Sequence, residues 1–220
     1  QWLQDKLRAI GLRPISALVD VTNYFTFDQN RPLHVFDVDK MSSNLRVHRA
    51  AGGETLTGLD EKEYAFQPGQ MVISDDNGAE SIAGIMGGLE TGCTEGTTTV
   101  FLESAFWDPI QIAYTGRALK INTDARYRFE RGVDPAFTPV GLEAATRMSL
   151  DLCGGEASEV VVAGAVPEHS RAYKLDTDRV ESLVGMSLPA VELRASLVAL
   201  FVMMDGDMAQ VPSGRPDFLV

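Results

Sequence analysis

Four short stretches of the 220-residue chain gather side chains that can do chemistry. The first, residues 13–37, holds Arg13, Asp20, Thr22, Asn23, His34 and Asp37 within an apolar frame. That set can bind a polar ligand, orient a water or cap helices. The second, AGIMGG at 83–88, has three glycines around Ile-Met. Such a run exposes backbone N–H groups and lets a ligand approach closely, and it also suits a plain tight turn. The third, residues 100–109, places Glu103 on the same face of an alternating strand as Phe101. A carboxylate beside aromatic rings can read a hydroxyl, whereas most such glutamates are simply solvated. The fourth, residues 121–135, interleaves Arg126, Arg128 and Arg131 with Glu130 and Asp134, and reads by default as a surface ion-pair network. No nucleophile elbow, H-E-x-x-H, phosphate-binding loop or paired-cysteine motif is present.

The elements that must position these groups follow from periodicity. Trp2, Leu3, Leu7 and Ile10 share a helical face that Gly11 can close. Residues 15–27 are apolar and β-branched, so helix and strand compete there. From 45 to 104 the pattern is strands, with Asp75-Asp76-Asn77-Gly78 as a hairpin turn. Asp108-Pro109 predicts a helix start, and residues 139–153 a second helix stopped by Gly154-Gly155. Val160–Val166 reads as a strand and residues 167–170 as a linker. A new unit then begins: strand 172–175, helix 176–184 ending at Gly185, helix 189–200 and strand residues 201–212.

Composition narrows the function classes. The 45% apolar content supports a packed core. The apolar stretches are too short to span a bilayer, so no membrane role is expected. Cys93 and Cys153 cannot make a disulfide scaffold or a zinc site, which points to a reduced, cytoplasmic setting. The net charge of −12 argues against binding nucleic acid by broad phosphate neutralisation. Residues 1–50, with 7 Lys/Arg against 5 Asp/Glu, and 111–150, with 6 against 4, are the places to look for a limited contact.

Taken together, VDVTNY, PLH-x-FD, GIMGG and FERGVDP resemble the β subunit of bacterial phenylalanyl-tRNA synthetase, in the same order and at matching separations from about Trp2 to Val220. The resemblance implies an α+β fold: a β-barrel-like editing core flanked by helices over 1–170, then over 171–220 the start of a small winged-helix-like domain, cut short. It implies hydrolysis of Tyr from mischarged tRNA(Phe), with the tRNA 3′ end and the synthetase α subunit as partners in an α2β2 assembly. Arg13, Thr22, Asn23 and His34 match positions lining the editing cleft. Gly84 and Gly87 match glycines flanking the bound amino acid. Glu103 matches the carboxylate that accepts a hydrogen bond from the tyrosine hydroxyl, and Thr123 and Ala125 match the pocket wall. Asn23, His34 and Glu103 are thus the expected catalytic set. No cofactor is implied in the editing site. The full synthetase uses ATP and Mg²⁺, and Asp217 matches one of several acidic Mg²⁺ ligands, the rest lying beyond Val220.

The chain departs from the family at Asn30-Arg31, where Gly is common, at Gly214 in place of Trp, and at Arg126-Tyr127 in place of Ser-His. A pocket built for phenylalanine rejects an added hydroxyl by only about 10²-fold, so a second site that demands the hydroxyl inverts the selection. Cleavage of an activated ester needs a positioned water and oxyanion donors rather than a covalent nucleophile. Backbone N–H groups near Gly84 and Gly87, with Asn23 and His34, are the expected suppliers, and His34 either moves a proton or orients the substrate. The rival reading is a non-catalytic tRNA-binding or scaffold module.

Overall fold

Ser16 decides between helix and strand for the segment that follows it. Its hydroxyl accepts from the Val19 amide, and the next twelve residues are helical. Val21 and Phe25, one turn apart, are both buried, so tertiary burial overrides the β-branched composition. The computed structural model describes residues 1–218. In chain order the first part contains α1 (Trp2–Ala9), α2 (Ala17–Asp28), β1 (Leu33–Asp37), a 3-10 turn (Val38–Lys40), β2 (Arg46–Arg49), β3 (Thr55–Thr57), β4 (Glu63–Ala65), β5 (Met71–Ser74), β6 (Ala79–Ile82), β7 (Met86–Gly87) and β8 (Val100–Ser104). Helices α3 (Pro109–Leu119), α4 (Asp124–Phe129) and α5 (Phe137–Cys153) follow.

The chain divides into two units, Gln1–Val133 with Phe137–Ala163, and Asp134–Ala136 with Gly164–Val220. In the first, β2-β5-β6-β7 form a four-stranded antiparallel sheet, β3-β4 a hairpin and β1-β8 a two-stranded ribbon. The α+β class expected from the sequence therefore holds, as a mixture of helices with small antiparallel sheets; among the described strands no sheet closes on itself. The β5–β6 connection is the predicted hairpin: Gly78 sits at φ +145° and the Asp75 carboxylate accepts from the amides of Ser42 and Asn77.

The β1–β8 ribbon separates two apolar clusters. Leu33 and Leu102 pack against Leu3, Leu7, Val21, Phe25 and Ala145 from α1, α2 and α5. Phe36, on the opposite face, joins the larger cluster built from Leu56, Phe66, Val72, Ile82, Ile85, Trp107, Ile112 and Phe129. Strand alternation makes this partition obligatory, because residues two apart share a face. The turn into the ribbon uses Asn30 at φ +50°, a conformation asparagine tolerates. Arg31 behind it is fully buried and donates to the Ala105 carbonyl at 2.8 Å.

The second unit holds β9 (Arg171–Lys174), α6 (Thr177–Val184), α7 (Ala190–Ala199), β10 (Met203–Asp205) and β11 (Met208–Val211), with sheet order β10-β11-β9. Asp176 caps α6, and Gly185 ends it at φ +73° as predicted. The strand residues expected over 201–212 form a hairpin turning at Gly206, φ +56°. Val160–Val166, also expected as a strand, pairs with no described strand, and Val160, Val161 and Val162 are exposed. Apolar β-branched composition without a partner edge is not enough to make a strand. No helix among the described residues is long and apolar enough to cross a membrane, and Cys93 and Cys153 are both free.

Candidate functional site

The ribbon sets His34 directly opposite Glu103 in its antiparallel register. Their Cβ atoms are therefore about 5 Å apart on one face. Phe36 and Phe101 occupy the next position along that same face, also as register partners. The His34 ring meets Phe36 edge-on, with centroids 4.4 Å apart, and Phe36 in turn meets Phe101 at 6.2 Å. Alternation along two strands thus suffices to place an imidazole, a carboxyl group and two aromatic rings together.

Burial dominates the electrostatics of this pair. Both residues are half-buried by area, yet their titrating atoms lie where charge is poorly solvated. Burial pushes the Glu103 carboxyl up to about 7 and the His34 imidazole down to about 4. The two therefore do not form an ion pair: His34 is neutral at pH 7, and Glu103 is close to half-protonated. His34 Nε2 is buried with no hydrogen-bond partner among the described residues. A buried polar atom of that kind is suited to a ligand or water that arrives later.

Gly87 on β7 supports the imidazole from below. A Cβ added there would stand 2.1 Å from His34 Cε1 and 2.4 Å from Nε2. The ring occupies the space that only glycine leaves. Gly84, at φ +67°, faces the core instead: its added Cβ would meet Trp107 Cδ1 at 2.5 Å and Ile112 Cδ1 at 2.9 Å. The amides of Ile85 and Gly88 are already donated to the Ile82 and Glu80 carbonyls. Those two amides of the loop are therefore not available to a ligand.

Thr123 joins the loop to α4. Its hydroxyl donates to the Ile85 carbonyl at 2.8 Å and accepts from the Arg126 amide as the N-cap of α4. Ala125, the second residue of α4, packs against the larger cluster that contains Ile85. His34, Gly87, Glu103, Thr123 and Ala125 are therefore grouped around the ribbon and the 83–88 loop.

The remaining expected residues sit apart. Thr22 and Asn23 lie on α2, the helix that covers the other face of the ribbon. The Thr22 hydroxyl donates to its own helix at the Val19 carbonyl. Asn23 lies one turn before Phe27, whose ring carries the Arg128 guanidinium at 4.4 Å, so its stripe of α2 faces α4. Arg13 is exposed in the α1–α2 connection. No described contact links Arg13, Thr22 or Asn23 to His34 or Glu103.

Asp217 lies in the second unit. Arg215 Nε and Nη2 donate to its two oxygens at 2.9 and 2.8 Å, and that guanidinium holds its carboxyl below the usual range. Among the described residues no group of three or more His, Cys, Asp or Glu could hold a metal. The residues present do not fit a Mg²⁺ ion, which needs several oxygen ligands and water.

Three features escape the sequence patterns. Trp107 is buried against Gly84 with its Nε1 unpartnered. Glu80 is buried on β6, and burial together with the nearby Asp75 and Glu90 carboxylates pushes it up to about 7. No pattern in its Ala-Glu-Ser-Ile stretch, 79–82, marks it in advance. Arg126, which replaces serine in the family pattern, packs its guanidinium on Gly116 of α3, bonds Glu130 at 3.0 Å and donates to the Ile121 carbonyl. Its charge is spent on joining α3 to α4 rather than on the site.

The sequence profile of the B3/4 domain family matches residues 1–154. The phenylalanine–tRNA ligase β subunit of Ruegeria pomeroyi is 75% identical over 217 residues, covering 99% of this chain and 27% of that protein. That of Cereibacter sphaeroides is 68% identical, covering 98% and 27%. That of Paramagnetospirillum magneticum is 52% identical, covering 99% and 28%. The chain thus spans little more than a quarter of the length of these relatives. Among solved structures, an N-terminal fragment of the phenylalanyl-tRNA synthetase β subunit from Pyrococcus horikoshii matches 92% of this chain and 61% of that one, at 14% identity and a TM-score of 0.41, too loose a likeness to carry an argument. On the family profile and the close relatives together, the chain belongs to the B3/4 domain family, on the branch represented by phenylalanine–tRNA ligase β subunits.

Proposed function

We propose that this chain is the proofreading module of a phenylalanyl-tRNA synthetase β subunit and hydrolyses Tyr-tRNA(Phe). The observation that carries the reading is the cross-strand His34–Glu103 pair on an aromatic face. The tyrosine ring lies against the exposed Phe101, with Phe36 buried behind it, and its hydroxyl donates to Glu103. That hydrogen bond favours the carboxylate over the acid, so binding draws the Glu103 carboxyl down from about 7. Phenylalanine offers no donor and leaves a buried carboxyl unpaired, which is how such a site rejects it by up to roughly 10⁴-fold.

His34 serves the ester end. With its imidazole held at about 4 it carries a proton poorly at neutral pH. It therefore orients the attacking water through a hydrogen bond. The water oxygen bonds to the ester carbonyl carbon, the bond from that carbon to the ribose oxygen breaks, and the water proton reaches the leaving oxygen through the neighbouring ribose hydroxyl. Free tyrosine and tRNA(Phe) are the products. The amide of Gly87, beside the imidazole, is the proposed oxyanion donor, with Thr123 and Ala125 shaping the pocket wall; Arg13, Thr22, Asn23 and Gly84, which lie apart from the pair, are given no part in the hydrolysis.

In the same reading residues 1–170 are a barrel-like editing domain and 171–220 open a winged-helix-like one. The setting is the cytoplasm, in an α2β2 enzyme whose α subunit joins Phe to tRNA(Phe) with ATP and Mg²⁺. No step here runs through Asp217 or a metal. The test is deacylation of Tyr-tRNA(Phe) and Phe-tRNA(Phe) by the parent, Glu103→Ala and His34→Ala. The parent should strip Tyr preferentially. Glu103→Ala should lose roughly 10- to 150-fold of that preference, the value of one charge-assisted hydrogen bond. His34→Ala should be slow with the preference kept. A parent that strips neither substrate, or both equally, refutes the reading and favours a scaffold.

A further inference from the structure

The acidic chain reverses its charge locally. Residues 109–133, which build α3 and α4, carry five Lys/Arg against two Asp/Glu, whereas the whole chain carries 19 against 31. Two of the five cations are turned inward: Arg126 packs on Gly116, and Arg128 covers the Phe27 ring. Arg117, Lys120 and Arg131 remain on the outward face, all three exposed. Arg117 and Lys120 have no acidic partner among the described residues. Arg131 shares Glu130 with Arg126 and lies 3.7 Å over the Tyr127 ring.

The same face exposes two aromatic rings, Tyr114 at 54% and Tyr127 at 51%. Tyr114 and Arg117 line one shallow depression of about 590 Å³ with Ile110 and Glu130, so the α3 stripe and the end of α4 form one surface. Exposed aromatic rings interleaved with unneutralised cations suit a single-stranded polyanion with flat bases: the bases stack and the phosphates meet the charges. At its other end α4 is tied by Thr123 to the loop that supports His34.

We propose that this outward face of α3 and α4, with Tyr114, Arg117, Lys120, Tyr127 and Arg131, binds single-stranded RNA next to its acylated end. The occupant rests on the proofreading reading above, because that reading makes the substrate an RNA ester. Charge complementarity fits a polyanion, and the exposed rings favour RNA over an acidic protein surface. The exposed Tyr114 and Tyr127 rings beside these cations suit an occupant that brings flat bases as well as phosphates.

The experiment measures binding, not hydrolysis. Fluorescence anisotropy with uncharged tRNA(Phe) transcript and with a labelled single-stranded RNA oligonucleotide is followed from 50 to 300 mM salt. The chain is compared with Arg117→Gln/Lys120→Gln, Tyr114→Ala/Tyr127→Ala and Arg46→Gln, the last an exposed cation on β2. The double cation variant should weaken binding and flatten the log–log salt slope by about 1.4, from two lost single-strand phosphate contacts. The double tyrosine variant should weaken binding about 5-fold or more with the slope kept. Arg46→Gln should bind as the parent does. Binding is read on RNA that carries no ester, so a failure of the hydrolytic reading leaves this result standing. The proposal is overturned if the parent binds neither RNA at 50 mM salt, if both double variants match it, or if Arg46→Gln loses as much as the cation pair.

Discussion

Replacing Glu103 with Gln removes a titratable group while keeping its size and hydrogen-bonding atoms. In the folded chain this carboxyl is pushed from an ordinary 4.5 up to about 7 by burial. The folded state therefore binds more protons than the unfolded state between those values. Its contribution to stability is fully present below about 4.5 and is lost as pH rises through about 7. The shift of about 2.5 units, at 1.36 kcal/mol each, is about 3 kcal/mol lost between pH 4 and pH 8. Glu103→Gln has nothing to titrate and does not suffer that loss. Glu80, shifted in the same direction, and His34, lowered to about 4 and so favouring the fold above about 6.5, change with pH in both proteins and cancel in the difference. Thermal melts at pH 5 and pH 8 read the effect. The variant should gain on the parent by about 2.5 kcal/mol between the two, which is roughly 5–10 °C in Tm for a unit of this size. The same variant should lose part of the preference for Tyr-tRNA(Phe), because its amide oxygen still accepts from the hydroxyl but without the charge. A stability difference that does not change with pH would show that Glu103 is solvated and refute the burial argument, and with it the reason for its selectivity.

Gly87→Ala should cut the hydrolysis rate roughly 10²-fold with the fold retained, since the new methyl would stand 2.1 Å from His34 Cε1 and displace the imidazole by about an ångström. Single-turnover deacylation and a melting curve check this together. Thr123→Val deletes both the cap on the Arg126 amide and the bond to the Ile85 carbonyl, and should cost about 2–3 kcal/mol in denaturant unfolding. Limited proteolysis should cut first within residues 154–170, which are exposed and carry no regular structure, before any bond inside the β5–β6 hairpin.

Much of this protein could be read from local chemistry. Asp108-Pro109 starts α3, Gly185 ends α6 and Asp75–Gly78 turns the β5–β6 hairpin, because caps and turns are decided by a few adjacent residues. Alternation put Glu103 and Phe101 on one face before any partner strand was known. Four motifs in order identified the family. Tertiary structure decided what depends on residues far apart in the chain. Only the β1–β8 register brings His34 opposite Glu103, 69 residues later, and only burial there makes one neutral and raises the other. Residues 17–28 became a helix because Val21 and Phe25 found a core to fill. Val160–Val166 did not become a strand because no edge pairs with it. Gly84 and Gly87 look alike in sequence, yet one accommodates Trp107 and the other His34, since what a missing side chain makes room for is set by the neighbour that folding supplies.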